Sequence, residues 1–209
     1  NELEKINKFK YEANEVAVER FNAFPNIKTV FSIDLSLKQD PEKVFEGFTN
    51  LTECHNLRLD SVGNTAFFRL AELSGSLSII YSLGDHSLKS LRKTGDLGFF
   101  GISNREISLI KDSLICGYFF VYNTDLLTSF KGSPRLDSVF IIEIGSCNSI
   151  TTLDGLRINN RLDYLGIGIN SMLTDFCGIM GVEAEESSIH HNRYNPTLEE
   201  INSGKCKMK

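Results

Sequence analysis

Leu162-Asp-Tyr-Leu-Gly-Ile-Gly-Ile-Asn-Ser-Met-Leu-Thr-Asp-Phe-Cys-Gly178 holds, in one short stretch, a unit that the chain repeats. Its apolar run from Tyr164 is strand-like, and Asn170 follows where a strand must turn. An aliphatic step, Leu173, comes next, then Thr174-Asp-Phe176-Cys-Gly178. Upstream the order recurs. The run from Val139 (VFIIEI) leads to Asn148-Ser-Ile150 and Thr151-Thr-Leu153-Asp-Gly155. The run from Tyr118 (YFFVYN) leads to Asn123-Thr-Asp-Leu126 and Thr128-Ser-Phe130-Lys-Gly132, and that from Leu97 (LGFFGI) to Asn104-Arg-Glu-Ile107. Two earlier runs begin at Leu57 (LRLDSV) and Leu77 (LSIIYS).

The six runs start 20, 20, 21, 21 and 25 residues apart. A period of this length, with a strand, an Asn and a Leu-x-x-Leu turn, is a leucine-rich-repeat signature. Each coil supplies one parallel strand, and its inward aliphatic residues are buried only when another coil stacks on it. Asn104, Asn123, Asn148 and Asn170 are read as the structural asparagines that turn the chain out of each strand. The predicted fold is therefore a repeat solenoid, leucine-rich-repeat-like, with one parallel β-sheet joined by short turns or helices.

Outside the repeats, residues 2–22 read as an amphipathic helix, with Leu3, Ile6, Phe9, Ala13, Val16 and Phe21 at steps of three to five. Pro25 stops it, Thr29–Leu37 alternates as a strand, and Asp40-Pro-Glu-Lys-Val-Phe-Glu46 reads as a short helix. The expected organisation is an N-terminal helix-and-strand cap over 1–43, a solenoid of about six coils over 44–182, and a C-terminal cap over 183–209.

With 22 Lys+Arg against 27 Asp+Glu, the 209-residue chain carries a net charge of −5, and no basic stripe suits nucleic acid. The longest stretch without charge, Ser113–Thr124, is far shorter than the roughly 20 apolar residues of a membrane helix. Asn1 opens directly into a polar pattern with no signal-peptide core, as in a mature or trimmed chain. Five cysteines, at 54, 116, 147, 177 and 206, include no C-x-x-C pair.

No catalytic motif stands out: there is no nucleophile elbow, no H-E-x-x-H and no P-loop. Gly166-Ile-Gly168 lacks the third glycine and the following helix of a dinucleotide loop, so no cofactor is expected. His190-His191 and Asp85-His86 lie in different repeats without metal-ligand spacing, and no metal site is expected. The aspartates at 125, 137, 154, 163 and 175 read as solvated turn residues.

Aligning the coils on their asparagines places Leu97, Phe99, Tyr118, Phe120, Leu165 and Ile167 inward. With a one-residue shift, Phe140, Ile142 and Ile144 join them. Ile80, Phe100, Ile102, Phe119, Val121, Ile141 and Tyr164 then form an apolar stripe on the outer sheet face. Such a stripe is either a binding surface or a face covered within the structure, by the 2–22 helix or a second copy. A slip of one residue exchanges the two faces.

Thr152-Leu-Asp-Gly-Leu156, Leu162-Asp-Tyr-Leu-Gly-Ile-Gly-Ile-Asn170 and Leu173-Thr-Asp-Phe-Cys-Gly-Ile179 resemble the repeats of Bacteroides-type surface leucine-rich-repeat proteins, kin in pattern to receptor L-domains. Asn192-Arg-Tyr-Asn-Pro-Thr197 with Ile201-Asn-Ser-Gly-Lys-Cys206 resembles their closing segment, and the resemblance covers roughly residues 70–206. It implies an exported cell-surface protein, usually a lipoprotein anchored through a cysteine upstream of Asn1, with no known catalytic site. It also implies a Cys177–Cys206 disulfide that ties the tail over the last coil, leaving Cys54, Cys116 and Cys147 as buried thiols. The expected function is non-enzymatic binding of a protein or glycan through the sheet face or its flanking loops. The alternative is a structural subunit that self-associates, as a homodimer, through the apolar face.

Overall fold

The computed structural model describes residues 5–13, 20–21, 24, 26–37, 44–45, 48–61, 64–67, 69–81, 86–88, 90–103, 105, 107, 113–159 and 161–209. Among these, nine strands follow one another in chain order along a single sheet. They are β1 (Lys5–Ala13), β2 (Thr29–Leu37), β3 (Glu53–Asp60), β4 (Ser76–Ile80), β5 (Asp96–Phe100), β6 (Tyr118–Tyr122), β7 (Ile141–Gly145), β8 (Arg161–Gly168) and β9 (Glu183–His190). A tenth, Glu72–Leu73, pairs with β3. All are parallel, and a parallel neighbour needs a crossover. Here each crossover is the remainder of one coil, so that Phe9, Ile33, Leu57, Leu77, Leu97, Phe119, Ile142 and Leu165 occupy one register position in successive strands. Shorter parallel ladders line the back. One joins Arg20–Phe21, Val44–Phe45, Asn64–Ala66 and His86–Ser87, and another joins Ser113–Ile115, Arg135–Ser138 and Arg157–Ile158. The architecture is a parallel β-solenoid.

Two inward columns make the core. Ile33, Leu57, Leu77, Leu97, Phe119, Ile142 and Leu165 form one, and Leu35, Leu59, Ile79, Phe99, Val121, Ile144 and Ile167 the other; all are buried. At about 1.5–3 kcal/mol for each fully buried large aliphatic or Phe side chain, stacking these columns is the main force holding one coil on the next. From Phe9, in register with the first column, Phe24, Phe48 and Phe67 pack on in sequence, with centroids 5.2, 5.5 and 6.5 Å apart.

The turn out of the sheet is also repeated. Ser61, Tyr81, Gly101, Asn123, Ser146, Ile169 and His191 each follow a front strand, lie side by side, and have φ between 46° and 64°. This left-handed residue swings the chain off the strand, and its N–H donates to the carbonyl ending the next strand, as from Asn123 to Gly145 and from Ser146 to Gly168. One residue later comes a buried column of Ile102, Thr124, Cys147, Asn170 and Asn192. The asparagines singled out in the sequence therefore occupy different places. Asn170 is in the buried column, Asn123 is the exposed left-handed residue, and Asn148 is exposed beyond it, donating to Asp125 Oδ1 at 3.0 Å. Asn104 lies outside the described residues.

That difference corrects the expected facing. Phe119, Val121 and Ile102 are 1 %, 0 % and 4 % exposed, so they belong to the core and not to the outer stripe. Tyr118 and Phe120, expected inside, alternate with Phe119 and Val121 and face outward, while Phe140 is exposed in the turn before β7. The run from Tyr118 is apolar on both faces, so periodicity could not fix its register. Anchoring it on Asn123, one residue short of the buried column, slipped it by one. Ile80, Phe100, Ile141 and Tyr164 do lie on the outer face, half-buried.

The N-terminal helix is also corrected. Residues Lys5–Ala13 are β1, paired in parallel with β2, and Arg20–Phe21 is a strand; the remainder of 2–22 lies outside the described residues. In β2 the inward positions run Val30, Ile33, Leu35, a step of three and then of two. Their β1 partners are Ile6, Phe9 and Tyr11. The first step imitates helical spacing, and Tyr11 restores the strand alternation. Val44–Phe45 of the expected second helix is a strand, while 40–43 and 46 lie outside the described residues.

At the C-terminal end, β9 adds to β8 and the chain turns into α1 (Leu198–Asn202), opened by a Thr197–Glu200 capping box. The tail then runs back. Lys207 pairs antiparallel with Asp175, Phe176 N donates to Cys206 O at 2.7 Å, and Cys177 and Cys206 form a disulfide. Cys54, Cys116 and Cys147 are buried free thiols. Among the described residues no helix is long and apolar enough to cross a membrane.

Candidate binding face

From β4 to β9 the outer sheet face is a grid of three rows set by strand register. The first reads Ser76, Asp96, Tyr118, Ile141, Tyr164, Glu186. Ser78, Gly98, Phe120, Glu143, Gly166 and Ser188 follow in the second, and Ile80, Phe100, Tyr122, Gly145, Gly168 and His190 in the third. Strand β6 contributes three outward rings in succession, Tyr118, Phe120 and Tyr122, with neighbouring centroids 5.2 and 6.3 Å apart.

Glu143 stands next to them. Its Oε2 accepts a hydrogen bond from Tyr118 Oη at 2.6 Å and another from Tyr122 Oη. Burial raises the pKa of both phenols, and the hydrogen bonds to the Glu143 carboxylate raise it further. Both tyrosines therefore stay protonated donors that hold the carboxylate in place.

The glycines of the grid let rings lie flat on the sheet. A Cβ at Gly145 would meet the Tyr122 ring at 2.6 Å, one at Gly166 the Tyr164 ring at 2.9 Å, and one at Gly168 the His190 ring at 2.7 Å. Between these rings lies a depression of about 170 Å³ lined by Tyr122, Glu143, Gly145, Tyr164, Gly166 and His190. Two larger hollows lie elsewhere. One of about 410 Å³ is bordered by Phe31 stacked on His55. The other, of about 470 Å³, is a polar cleft near the disulfide with Thr151, Asp154, Thr174, Asp175 and Lys207.

Of the seven stripe residues named from the sequence, the fold brings Ile80, Phe100, Ile141 and Tyr164 onto this face and places Ile102, Phe119 and Val121 beneath it. The sequence reading missed Tyr118, Phe120, Tyr122 and Glu143. The signal was there: aromatic residues at alternate positions of one strand, and one carboxylate interrupting an otherwise apolar neighbour.

The face offers rings, a carboxylate held by two phenols, and the side chains of Ser76, Ser78, Ser188 and His190. Burial pushes the Cys54 and Cys116 thiols up to about 12, so neither is a thiolate at neutral pH. His190 and His191 meet through their Nδ1 atoms at 2.8 Å, whereas Asp85 lies outside the described residues. Among the described residues no three His, Cys, Asp or Glu side chains cluster as metal ligands. Asp137, Asp154 and Asp175 form ion pairs with Arg135, Lys131 and Lys207. Comparison with protein-family models, with curated proteins and with solved structures gave no match.

Proposed function

We propose that this chain is a non-enzymatic binding module of the leucine-rich-repeat kind, exported to the cell surface, that recognises a protein or glycan through its outer sheet face. The observation that carries the reading is the in-register patch of Tyr118, Phe120, Tyr122 and Tyr164 around Glu143, on a rigid sheet whose other face is the core. Rings at alternate positions present large contact area with little conformational entropy to lose. The Cys177–Cys206 disulfide supports the exported location, since such bonds persist in oxidising compartments.

The alternative, self-association through this face, is less well supported. A two-fold pairing of copies sets each patch against itself. That brings Asp96, Glu143 and Glu186 of the two copies into one interface, where like charges repel.

The test is a panel of immobilised matrix proteins and mucin glycans probed with the wild-type chain and with Tyr164→Ala, after light scattering has given the mass of both. A monomeric wild type that binds, and a folded variant that does not, supports the reading. A ligand bound equally by both removes the sheet face from it, and a dimer that Tyr164→Ala dissociates favours assembly instead.

A further inference from the structure

The carboxylate at the centre of the patch has an unspent acceptor. Glu143 Oε2 takes both tyrosine hydroxyls, while Oε1 has no hydrogen-bond partner among the described residues. No cation neutralises Glu143 there either. The ion pairs among the described residues are Arg58–Asp60, Lys131–Asp154, Arg135–Asp137, Arg161–Glu185 and Lys207–Asp175, and none includes Asp96, Glu143 or Glu186. Across the three outer rows from β4 to β9 there are three carboxylates and no lysine or arginine.

A half-buried carboxylate ringed by aromatic faces attracts cations twice over, through its own charge and through the ring quadrupoles. The depression beside Tyr122 and Tyr164, about 170 Å³, is smaller than the roughly 300 Å³ at which small-molecule pockets begin. It has room for one inserted side chain. A hydroxyl-rich ligand needs donors as well as acceptors, and with the Tyr118 and Tyr122 hydroxyls donating to Glu143 the lining leaves Tyr164, Ser146 and His190 to supply them. Guanidinium suits the place better than ammonium, because it is planar, weakly hydrated and stacks on rings while pairing with a carboxylate.

We infer that the Glu143 cluster is the receptor for an arginine side chain of a partner protein, docked over Tyr122 and Tyr164 and bonded to Glu143 Oε1. This deepens the proposed function and rests on it, since it names what the sheet face binds. Asp96 and Glu186, in the first row to either side, favour further basic residues flanking that arginine.

The probe is an acetylated, amidated hexa-arginine peptide titrated by calorimetry. Tyrosine emission gives a second readout that no tryptophan masks, since the chain has none. Three proteins are compared: the wild type, Glu143→Gln and Glu72→Gln. The first variant keeps an acceptor for the phenols, and the second makes the same charge change at an exposed position in the Glu72–Leu73 strand. The expected result is saturable binding by the wild type and Glu72→Gln, and binding about tenfold or more weaker by Glu143→Gln. Equal affinity of the two variants overturns the inference, because the peptide is then responding to net charge alone. If hexa-arginine does not bind, a matrix protein or glycan whose binding Tyr164→Ala abolishes overturns the arginine assignment and leaves the binding face standing. Failure of every ligand removes both.

Discussion

Replacing Asn170 by Ala tests whether the buried column after each strand holds neighbouring coils together. The Asn170 amide is fully buried and bridges three coils. Its Oδ1 accepts from Cys147 N at 2.9 Å, and its Nδ2 donates to Ile144 O at 3.2 Å and to Asn192 Oδ1 at 2.9 Å. Truncation leaves the Cys147 N–H without this acceptor, at about 1–3 kcal/mol for a buried unsatisfied group, and removes two further bonds worth about 1 kcal/mol each. The total is about 4 kcal/mol. For a chain of this size each kcal/mol moves Tm by roughly 2–4 °C, so Asn170→Ala lowers it by about 10 °C. The control is Asn148→Ala, an asparagine that the sequence makes equivalent. It is exposed and its amide reaches only Asp125 and Ser171, so its loss costs less than about 0.5 kcal/mol. Scanning calorimetry of the two variants against the wild type decides it. Melting temperatures within about 2 °C of each other would refute the distinction between the two asparagines.

Reducing or mutating the Cys177–Cys206 bridge, which spans a sequence separation of 29, lowers stability by about 3–4 kcal/mol on the loop-entropy model. Urea unfolding of a Cys177→Ser/Cys206→Ser double variant measures this, and an unchanged midpoint contradicts it. Ile169, β-branched and exposed with φ at 62°, sits in a conformation costing an L-residue roughly 1–2 kcal/mol. Ile169→Gly is therefore expected to stabilise the fold by about 1 kcal/mol, and a lower urea midpoint counts against the left-handed turn. The raised pKa values of Tyr118 and Tyr122 set an alkaline limit. Unfolded phenols ionise near pH 10 while these two keep their protons in the fold, so their contribution is complete below about pH 10 and is lost as pH rises beyond it. The urea midpoint should drop between pH 9 and pH 11 more steeply in the wild type than in Tyr118→Phe/Tyr122→Phe; equal slopes would argue against the Glu143 network.

The solenoid was legible because its cause is periodic. Leu57, Leu77 and Leu97 recur at the spacing of one coil, and a side chain that fills the same place in every coil leaves the same mark in every repeat. The disulfide was legible only through a resemblance of the closing segment. What stayed hidden was local. Asn123 and Asn170 look alike in the sequence, yet one supplies a left-handed backbone and the other a buried amide. At the second position Thr124 and Cys147 replace asparagine in other coils, bonding Oγ1 to Sγ at 3.0 Å, which no search for asparagine finds. The candidate site was obscured by the same slip, since moving β6 by one residue buries Tyr118 and Tyr122 and separates them from Glu143. The first strand was disguised because Ile6 and Phe9, the partners of Val30 and Ile33, stand three residues apart, whereas Thr29–Leu37 was legible as a strand.

The column of left-handed turns gives the outer face a fixed geometry that the rest of each coil does not share. From β4 to β9 five residues of each strand or more keep step with those of the next, although the returning segments differ in length and in whether they form strands. Side chains on that face therefore sit on a lattice whose spacing, about 4.8 Å from strand to strand, belongs to the backbone. Lengthening a return loop leaves the lattice unchanged, and exchanging one outward residue rewrites one point of it. The surface can be re-lettered without being rebuilt, because the two core columns stay as they are.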